Sequence, residues 1–182
     1  MDITDAAVLR AVAHPLRRRM LDVLRVDGPQ NATLLSRATG QAVANASHHL
    51  KVLAEAGLVE PAPELATDAR ERWWRIAARQ LRWNSNAFRE DAAGEALADA
   101  AESLGLSRQV ELVQAWLGSP AAQGEPWGQA AMSSDWWLRL SPDELSELSE
   151  ELLALVARYE GRPERADREP VFFLARGFPA RP

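Results

Sequence analysis

The sequence contains no cysteine, only three histidines and no long apolar run, and each absence narrows its possible functions. Without cysteine, it can form neither a disulfide nor a thiolate metal site. The adjacent His48 and His49 lack the i, i+4 helical spacing with which two imidazoles share a metal, so we expect no metal and no cofactor. No apolar stretch reaches about 18 residues, and the acidic N-terminus has no signal-peptide pattern. We therefore expect a cytoplasmic protein without membrane contact.

Charge is distributed unevenly along the chain. The net charge of −5 argues weakly against a nucleic-acid partner, but residues 1–90 hold 13 Arg and Lys against 10 Asp and Glu, a net of +3. Residues 91–182 hold 8 against 16, a net of −8. This asymmetry indicates a DNA-facing half and an acidic partner half, although an acidic surface helix would produce it equally well.

Two short helices with a tight turn between them are predicted early in the chain. Asn31 or Thr33 can cap the first, which covers residues 34–39, and Gly40 ends it. The second helix runs over residues 43–56 and Gly57 stops it. One apolar face of this second helix is expected to be buried, with Val43, Ala46, Leu50 and Leu53 on it. Helices of this length joined by a glycine-containing turn form a helix-turn-helix.

Strand-like segments at residues 58–60 and 72–76 flank a stretch rich in turn formers, which predicts a hairpin or wing near residues 61–72. The second half predicts a long helix over 89–116, a strand at 135–140, a capped helix over 142–160 and a last strand at 171–175. The fold class expected is mainly α with a small β component. We expect a winged helix-turn-helix over residues 1–80 and a dimerisation and possible effector region over 81–182, with a long dimerisation helix and a small C-terminal α+β module.

The outward face of the helix at 43–56 carries the candidate DNA contacts. A helix fits the major groove of B-DNA, and asparagine can read adenine there with two hydrogen bonds. Serine and histidine can reach bases or phosphates, lysine suits a phosphate, and arginines on a wing can reach the backbone or an adjacent minor groove. The predicted DNA-binding residues are Gln41, Asn45, Ser47, His48, Lys51, Arg70 and Arg72.

Three segments resemble the ArsR-type winged-helix regulators, in that family's order and spacing. Residues 12–24 (VAHPLRRRMLDVL) resemble the opening of its domain. Residues 47–59 (SHHLKVLAEAGLV) are similar to its recognition helix and first wing strand, and residues 70–76 (RERWWRI) to its second wing strand. The resemblance implies a homodimer on an inverted-repeat operator, usually a repressor released by an effector. The sequence lacks the cysteines and the paired Asp and His ligands of that family's metal-sensing branch, so we expect a regulator that does not sense metal.

The second half is rich in tryptophan, and two interpretations stay open. One is an aromatic-lined pocket for an apolar or cationic small-molecule effector. The other is core and dimer packing, which aromatic side chains dominate in general. The tryptophans concerned are Trp116, Trp127, Trp136 and Trp137. Residues 4–13 and 89–116 are the candidate dimerisation helices, and the C-terminal module could close over the long helix or pair across the dimer.

Two other classes of function compete with a regulator that binds double-stranded DNA. An enzyme is disfavoured, because the sequence has no glycine-rich phosphate loop, no nucleophile elbow and no catalytic cysteine. A winged-helix module that binds only protein is the second alternative, and salt-dependent binding to a duplex separates it from a DNA reader.

Overall fold

The computed structural model describes residues 1, 3–68, 71–77, 81, 83, 85–88, 92–163 and 165–181. These residues form two compact units, 1–110 and 111–182. The predicted boundary of the DNA-binding domain at residue 80 stays a prediction. No helix among the described residues is both long enough and apolar enough to cross a membrane.

The first unit begins with two helices, α1 (Ala6–Val12) and α2 (Pro15–Val26). Asp5 caps α1 by accepting from the backbone N–H of Ala7, and Pro15 opens α2, where its missing N–H costs nothing. Their apolar faces are fully buried with those of the following helices. The main contributors are Leu9, Val12, Met20, Leu21, Leu24, Leu35, Leu50 and Leu53.

The predicted helix-turn-helix is formed by α3 (Ala32–Thr39) and α4 (Val43–Glu55). Of the two residues expected to cap α3, Asn31 does so, since its side chain accepts from the N–H of Leu34 at 2.9 Å. The buried face of α4 holds Ala46, Leu50 and Leu53, as predicted. Val43 was expected on that face and is 46% exposed, because it lies in the first turn at the edge of the packing.

The wing is an antiparallel sheet with the strand order β1-β3-β2. Its strands are β1 (Gln30–Asn31), β2 (Val59–Pro61) and β3 (Trp73–Ile76), and a 3₁₀ turn (Pro63–Leu65) follows β2. Val59 pairs with Ile76 and Asn31 with Trp73. The third strand, β1, was not predicted, because two polar residues carry no period of their own. Through it, the wing hydrogen-bonds to the residue that caps α3.

A second 3₁₀ turn (Ser85–Phe88) precedes the long helix α5 (Ala92–Leu117). The predicted start of this helix, Arg89, lies outside the described residues. Ala98, Ala101 and Gly105 are the residues that α5 buries, and these small residues recur at i, i+3 and i+7 on one face. An ion pair between Arg108 Nε and Asp22 Oδ2 at 3.4 Å joins α5 to α2.

The second unit contains two four-residue helices, α6 (Pro120–Gln123) and α7 (Trp127–Ala130), and the longer α8 (Pro142–Glu160). The capping box predicted at the start of α8 is present, because the Ser141 hydroxyl accepts from the N–H of Glu144 and the Glu144 carboxylate accepts from the N–H of Ser141.

The strands predicted at residues 135–140 and 171–175 are wrong, and with them the β part of the C-terminal α+β module. Neither segment forms strand pairing with any described residue, although both are β-branched or aromatic in sequence. A strand needs a hydrogen-bonded neighbour as well as propensity, and propensity is all that the sequence displays. The broader expectation is confirmed: the protein is mainly α-helical, with a small sheet in the wing and a long fifth helix.

Candidate nucleic-acid interface

The turn between α3 and α4 is fixed by a glycine and by hydrogen bonds. Gly40 has φ +69°, in the left-handed region that side chains disfavour, and its N–H donates to the carbonyl of Ser36. The N–H of Gln41 donates to the same carbonyl at 3.0 Å, while the Ser36 hydroxyl donates back to the Gln41 carbonyl. Because three bonds close this turn, the direction of α4 relative to α3 is well defined.

Helix α4 presents an outward face of small and polar side chains. Of the predicted DNA contacts, Ser47, His48 and Lys51 are exposed on this helix. Lys51 forms a long ion pair with Glu55 one turn later, with Nζ and Oε1 3.9 Å apart, and both side chains remain largely exposed. An exposed pair of this kind contributes little and is easily exchanged for a phosphate partner.

Gln41 and Asn45 are brought together at the start of α4. The Asn45 side-chain N–H donates to the Gln41 side-chain carbonyl at 3.0 Å. Gln41 is exposed and Asn45 is half-buried. This bond orients the Asn45 amide, and it leaves the Asn45 carbonyl oxygen and the Gln41 amide hydrogens available to another partner.

All three histidines of the chain meet beneath and beside α4. His49 is 8% exposed, and its ring centroid lies 4.6 Å from that of His14 and 5.3 Å from that of His48. The Nδ1 atoms of His14 and His49 are buried without a hydrogen-bond partner among the described residues. Burial, with a smaller contribution from the charge of Arg17, lowers the pKa of His14. Burial lowers the pKa of His49, followed by electrostatic contributions from His14, Arg17 and His48. Both rings are therefore neutral packing residues at pH 7.

The wing is tied to the helix-turn-helix through Glu71. Its carboxylate accepts from the N–H of Thr67 at 3.0 Å, from the Thr67 hydroxyl at 2.9 Å and from the Asn31 side-chain amide at 2.8 Å. These hydrogen bonds, led by those from Thr67, lower the pKa of Glu71 to about 2. Asn31 thus both caps α3 and contacts the wing 40 residues away.

The cations of the wing differ in their availability. Arg72 is exposed, and Arg70 lies outside the described residues. Arg75, on β3, forms an ion pair with Glu64 and a longer one with Glu60 at 3.9 Å, so its charge is engaged within the hairpin.

Three consecutive arginines on α2, Arg17, Arg18 and Arg19, make contacts with other elements. Arg17 donates to the carbonyls of Arg10 and Ala11 at the end of α1, at 2.8 and 2.6 Å. Arg18 lies over the ring of Trp83 at 5.8 Å, a cation–π distance. Arg19 reaches the carbonyl of Ala38 in the last turn of α3 at 3.4 Å.

Arg37 is a candidate phosphate contact that the sequence reasoning missed. It is exposed on α3 and has no partner among the described residues. The first helix of a helix-turn-helix crosses the DNA backbone, so an outward arginine on α3 was a signal available in the sequence.

The four tryptophans predicted to line an effector pocket lie in or at the start of the second unit. Trp116 and Trp127 are half-buried, whereas Trp136 and Trp137 are 70% and 67% exposed. The effector pocket remains a prediction. Across the described ranges, no group of three His, Cys, Asp or Glu side chains is arranged to hold a metal ion.

Comparison with known proteins gives a family match and a similar solved structure. Residues 12–62 match a family described as a helix-turn-helix domain. A solution structure from Mycobacterium bovis, the homodimeric winged helix-turn-helix DNA-binding domain of a possible ArsR-family transcriptional regulator, is 24% identical. It covers 61% of this chain and 81% of its own, with a TM-score of 0.36. No curated protein matches.

The family match falls on α2 to β2, the part of the chain in which the helix-turn-helix and the start of the wing were predicted. Residues 12–62 therefore match a helix-turn-helix domain family, and with the rest of the hairpin they form a winged helix-turn-helix.

Proposed function

We propose that this protein is a homodimeric transcriptional repressor that binds an inverted-repeat operator with α4 in the major groove and the wing against the flanking backbone. The outward face of α4 carries the proposal. Its opposite side is buried in the core through Ala46, Leu50 and Leu53, so the face with Ser47 and His48 is held rigidly outward. Small and polar side chains on such a face allow a helix to enter the groove closely.

The candidate contacts divide into two groups by chemistry. Asn45, Ser47 and His48 are suited to base edges, with Gln41 orienting Asn45. The cations are suited to phosphates, which position a protein on DNA without reading sequence. They are Arg37, Lys51, Arg70 and Arg72.

Helix α5 supports the dimer. Beyond its buried small residues it exposes an apolar stripe, with Leu106, Val110, Val113 and Leu117 recurring at i, i+4, i+7 and i+11. An unpartnered stripe of this spacing is suited to a second helix. A two-fold dimer places two recognition helices about one turn of DNA apart, or 10–10.5 base pairs between half-site centres.

Single substitutions separate base reading from positioning. His48→Ala or Asn45→Ala should weaken binding to an operator selected from random duplexes by roughly 1–3 kcal/mol. Binding to an unrelated duplex should remain nearly unchanged. Lys51→Ala should weaken both alike and lower the slope of log affinity against log salt by about one. Fluorescence anisotropy with both duplexes measures this. Equal losses on both duplexes for His48→Ala and Asn45→Ala would show that neither residue reads bases.

A further inference from the structure

Among the residues that the structure describes, the second unit has no buried apolar core of its own. Every large hydrophobic side chain classed as buried lies within residues 1–110, and α8 buries none of its residues. Yet α8 is a regular 19-residue helix with a complete capping box. A well-formed helix keeps its place by packing an apolar face against another element, yet the apolar side chains of α8 are at most half-buried.

Two segments without helix or strand, one on either side of α8, carry much of the exposed apolar surface. They are residues 135–140 and 171–178, which we call the flanking segments. Trp136, Trp137, Leu138, Phe172, Phe173 and Phe178 are between 52% and 70% exposed. Six such side chains leave roughly 800 Å² of apolar surface open, taking about 150–250 Å² for a whole aromatic residue. The largest apolar patch of a typical monomer is only about 300–600 Å².

The backbone of residues 135–140 and 171–175, within the flanking segments, also lacks hydrogen-bonded partners among the described residues. Residues 132–140 and 171–175 make no hydrogen bond to any residue that the structure describes. Both segments nevertheless have the β-branched and aromatic composition of strands. Extended backbone with free N–H and C=O groups is a template for pairing with another chain.

We infer that the flanking segments are a second dimer interface, in which each pairs as a strand with a segment of a second copy of this chain. This presupposes the homodimer proposed above and adds to the stripe on α5 a surface that the winged helix-turn-helix does not contain.

A second copy fits this surface in three ways. Two-fold symmetry brings the same segments together, so each copy supplies the unpaired backbone that the other lacks. The open apolar area matches the roughly 800 Å² that each partner buries in a standard interface. The flanking segments carry Asp135, Arg139 and Arg176 as their charged residues, whereas α8 is strongly acidic, so pairing through the segments brings no block of like charge together.

Hydrogen exchange of the full-length protein, measured by mass spectrometry above and below the dimer dissociation constant, tests this directly. In the dimer, amides of the flanking segments should exchange about tenfold or more slowly than in the monomer, as paired strands do. The polar stretch at residues 165–169 should exchange rapidly in both. Rapid exchange of the flanking segments in a protein of dimeric mass overturns the inference. Protection that does not depend on protein concentration also overturns it, because the segments are then protected by contacts within one chain.

A paired variant gives a second measurement. Phe172→Ser with Phe173→Ser should weaken dimerisation by roughly tenfold to a hundredfold, the effect of losing anchor residues. The control Val26→Ser removes another exposed apolar side chain, at the end of α2, and should leave the sedimentation equilibrium unchanged. Equal dimerisation of the paired variant and the control contradicts the inference. If the dimer binds its operator while the flanking segments exchange rapidly, only this inference is wrong. If the flanking segments are protected from exchange but the protein does not bind DNA, only the proposed function is wrong.

Discussion

Replacing Asn31 with alanine removes two contacts from one side chain. The Asn31 carbonyl oxygen accepts from the N–H of Leu34 and caps α3, while its amide donates to Glu71 in the wing. Loss of an asparagine cap costs typically about 1 kcal/mol, with a range of roughly 0.5–2. Loss of the amide donor acts in addition by removing one of the hydrogen bonds that keep the pKa of Glu71 at about 2.

Unfolding in urea followed by circular dichroism measures this cost. We expect Asn31→Ala to lower the free energy of unfolding by at least about 1 kcal/mol. For a unit of about 110 residues this corresponds to a fall in Tm of roughly 4 °C. The effect is large relative to the total stability of a domain, about 5–15 kcal/mol.

Thr33 is the matched control for this substitution. From the sequence it was an equally good cap for α3, but in the structure it is exposed and contacts no described partner by hydrogen bond. Thr33→Ala should therefore change stability by no more than about 0.5 kcal/mol. If the two variants lose equal stability, or if only Thr33→Ala is destabilised, then the assigned cap and its link to the wing are wrong.

Three further predictions concern the packing around the recognition helix. The lowered pKa values of His14 and His49 mean that the fold favours their neutral forms. Their contribution to the free energy of unfolding is fully present above about pH 6.5 and falls as the pH drops towards the folded-state pKa values. Urea unfolding between pH 7.5 and 5 should show this fall, and the double variant with glutamine at both positions should not show it. Gly40→Ala, at φ +69°, should cost about 1–2 kcal/mol from backbone strain alone, because nothing lies within 4 Å of the added Cβ; an unchanged urea midpoint contradicts this. Leu53→Ala should lower the free energy of unfolding by about 2–5 kcal/mol, and Leu65→Ala, on the exposed turn of the wing, by about 0.5 kcal/mol or less. Similar losses of stability for the two variants would refute the buried face of α4.

The helix-turn-helix could be predicted from sequence because its signals are local. The spacing of Ala46, Leu50 and Leu53 set the buried face of α4, and Gly40 marked the turn before it. The cap of α3 and the contacts of the arginines on α2 depend on residues distant in sequence, so local patterns left them open. Asn31 rather than Thr33 is the cap partly because its amide also bonds Glu71, and the roles of Arg17, Arg18 and Arg19 depend on carbonyls and a ring that other elements supply.

The flanking segments show the opposite case, in which a local signal was clear and the structure did not follow it. Residues 135–140 and 171–175 have the composition of strands but no partner among the described residues. Strand pairing is a property of two segments, so composition alone cannot say which segment, or which chain, supplies the second. The same limit applies to Trp136 and Trp137, whose exposure was not readable from their position in the sequence.

A single titration shows whether the exposed face of α4 reads duplex DNA. Duplexes are selected from a random pool by the purified full-length protein, and binding to the selected and a scrambled duplex is measured over a range of salt concentrations. We expect the selected sequence to be an inverted repeat, the logarithm of affinity to fall linearly with the logarithm of salt concentration, and the preference over the scrambled duplex to be about 10³-fold or more. No binding to any duplex at low salt contradicts this expectation and would indicate a winged helix that binds protein instead.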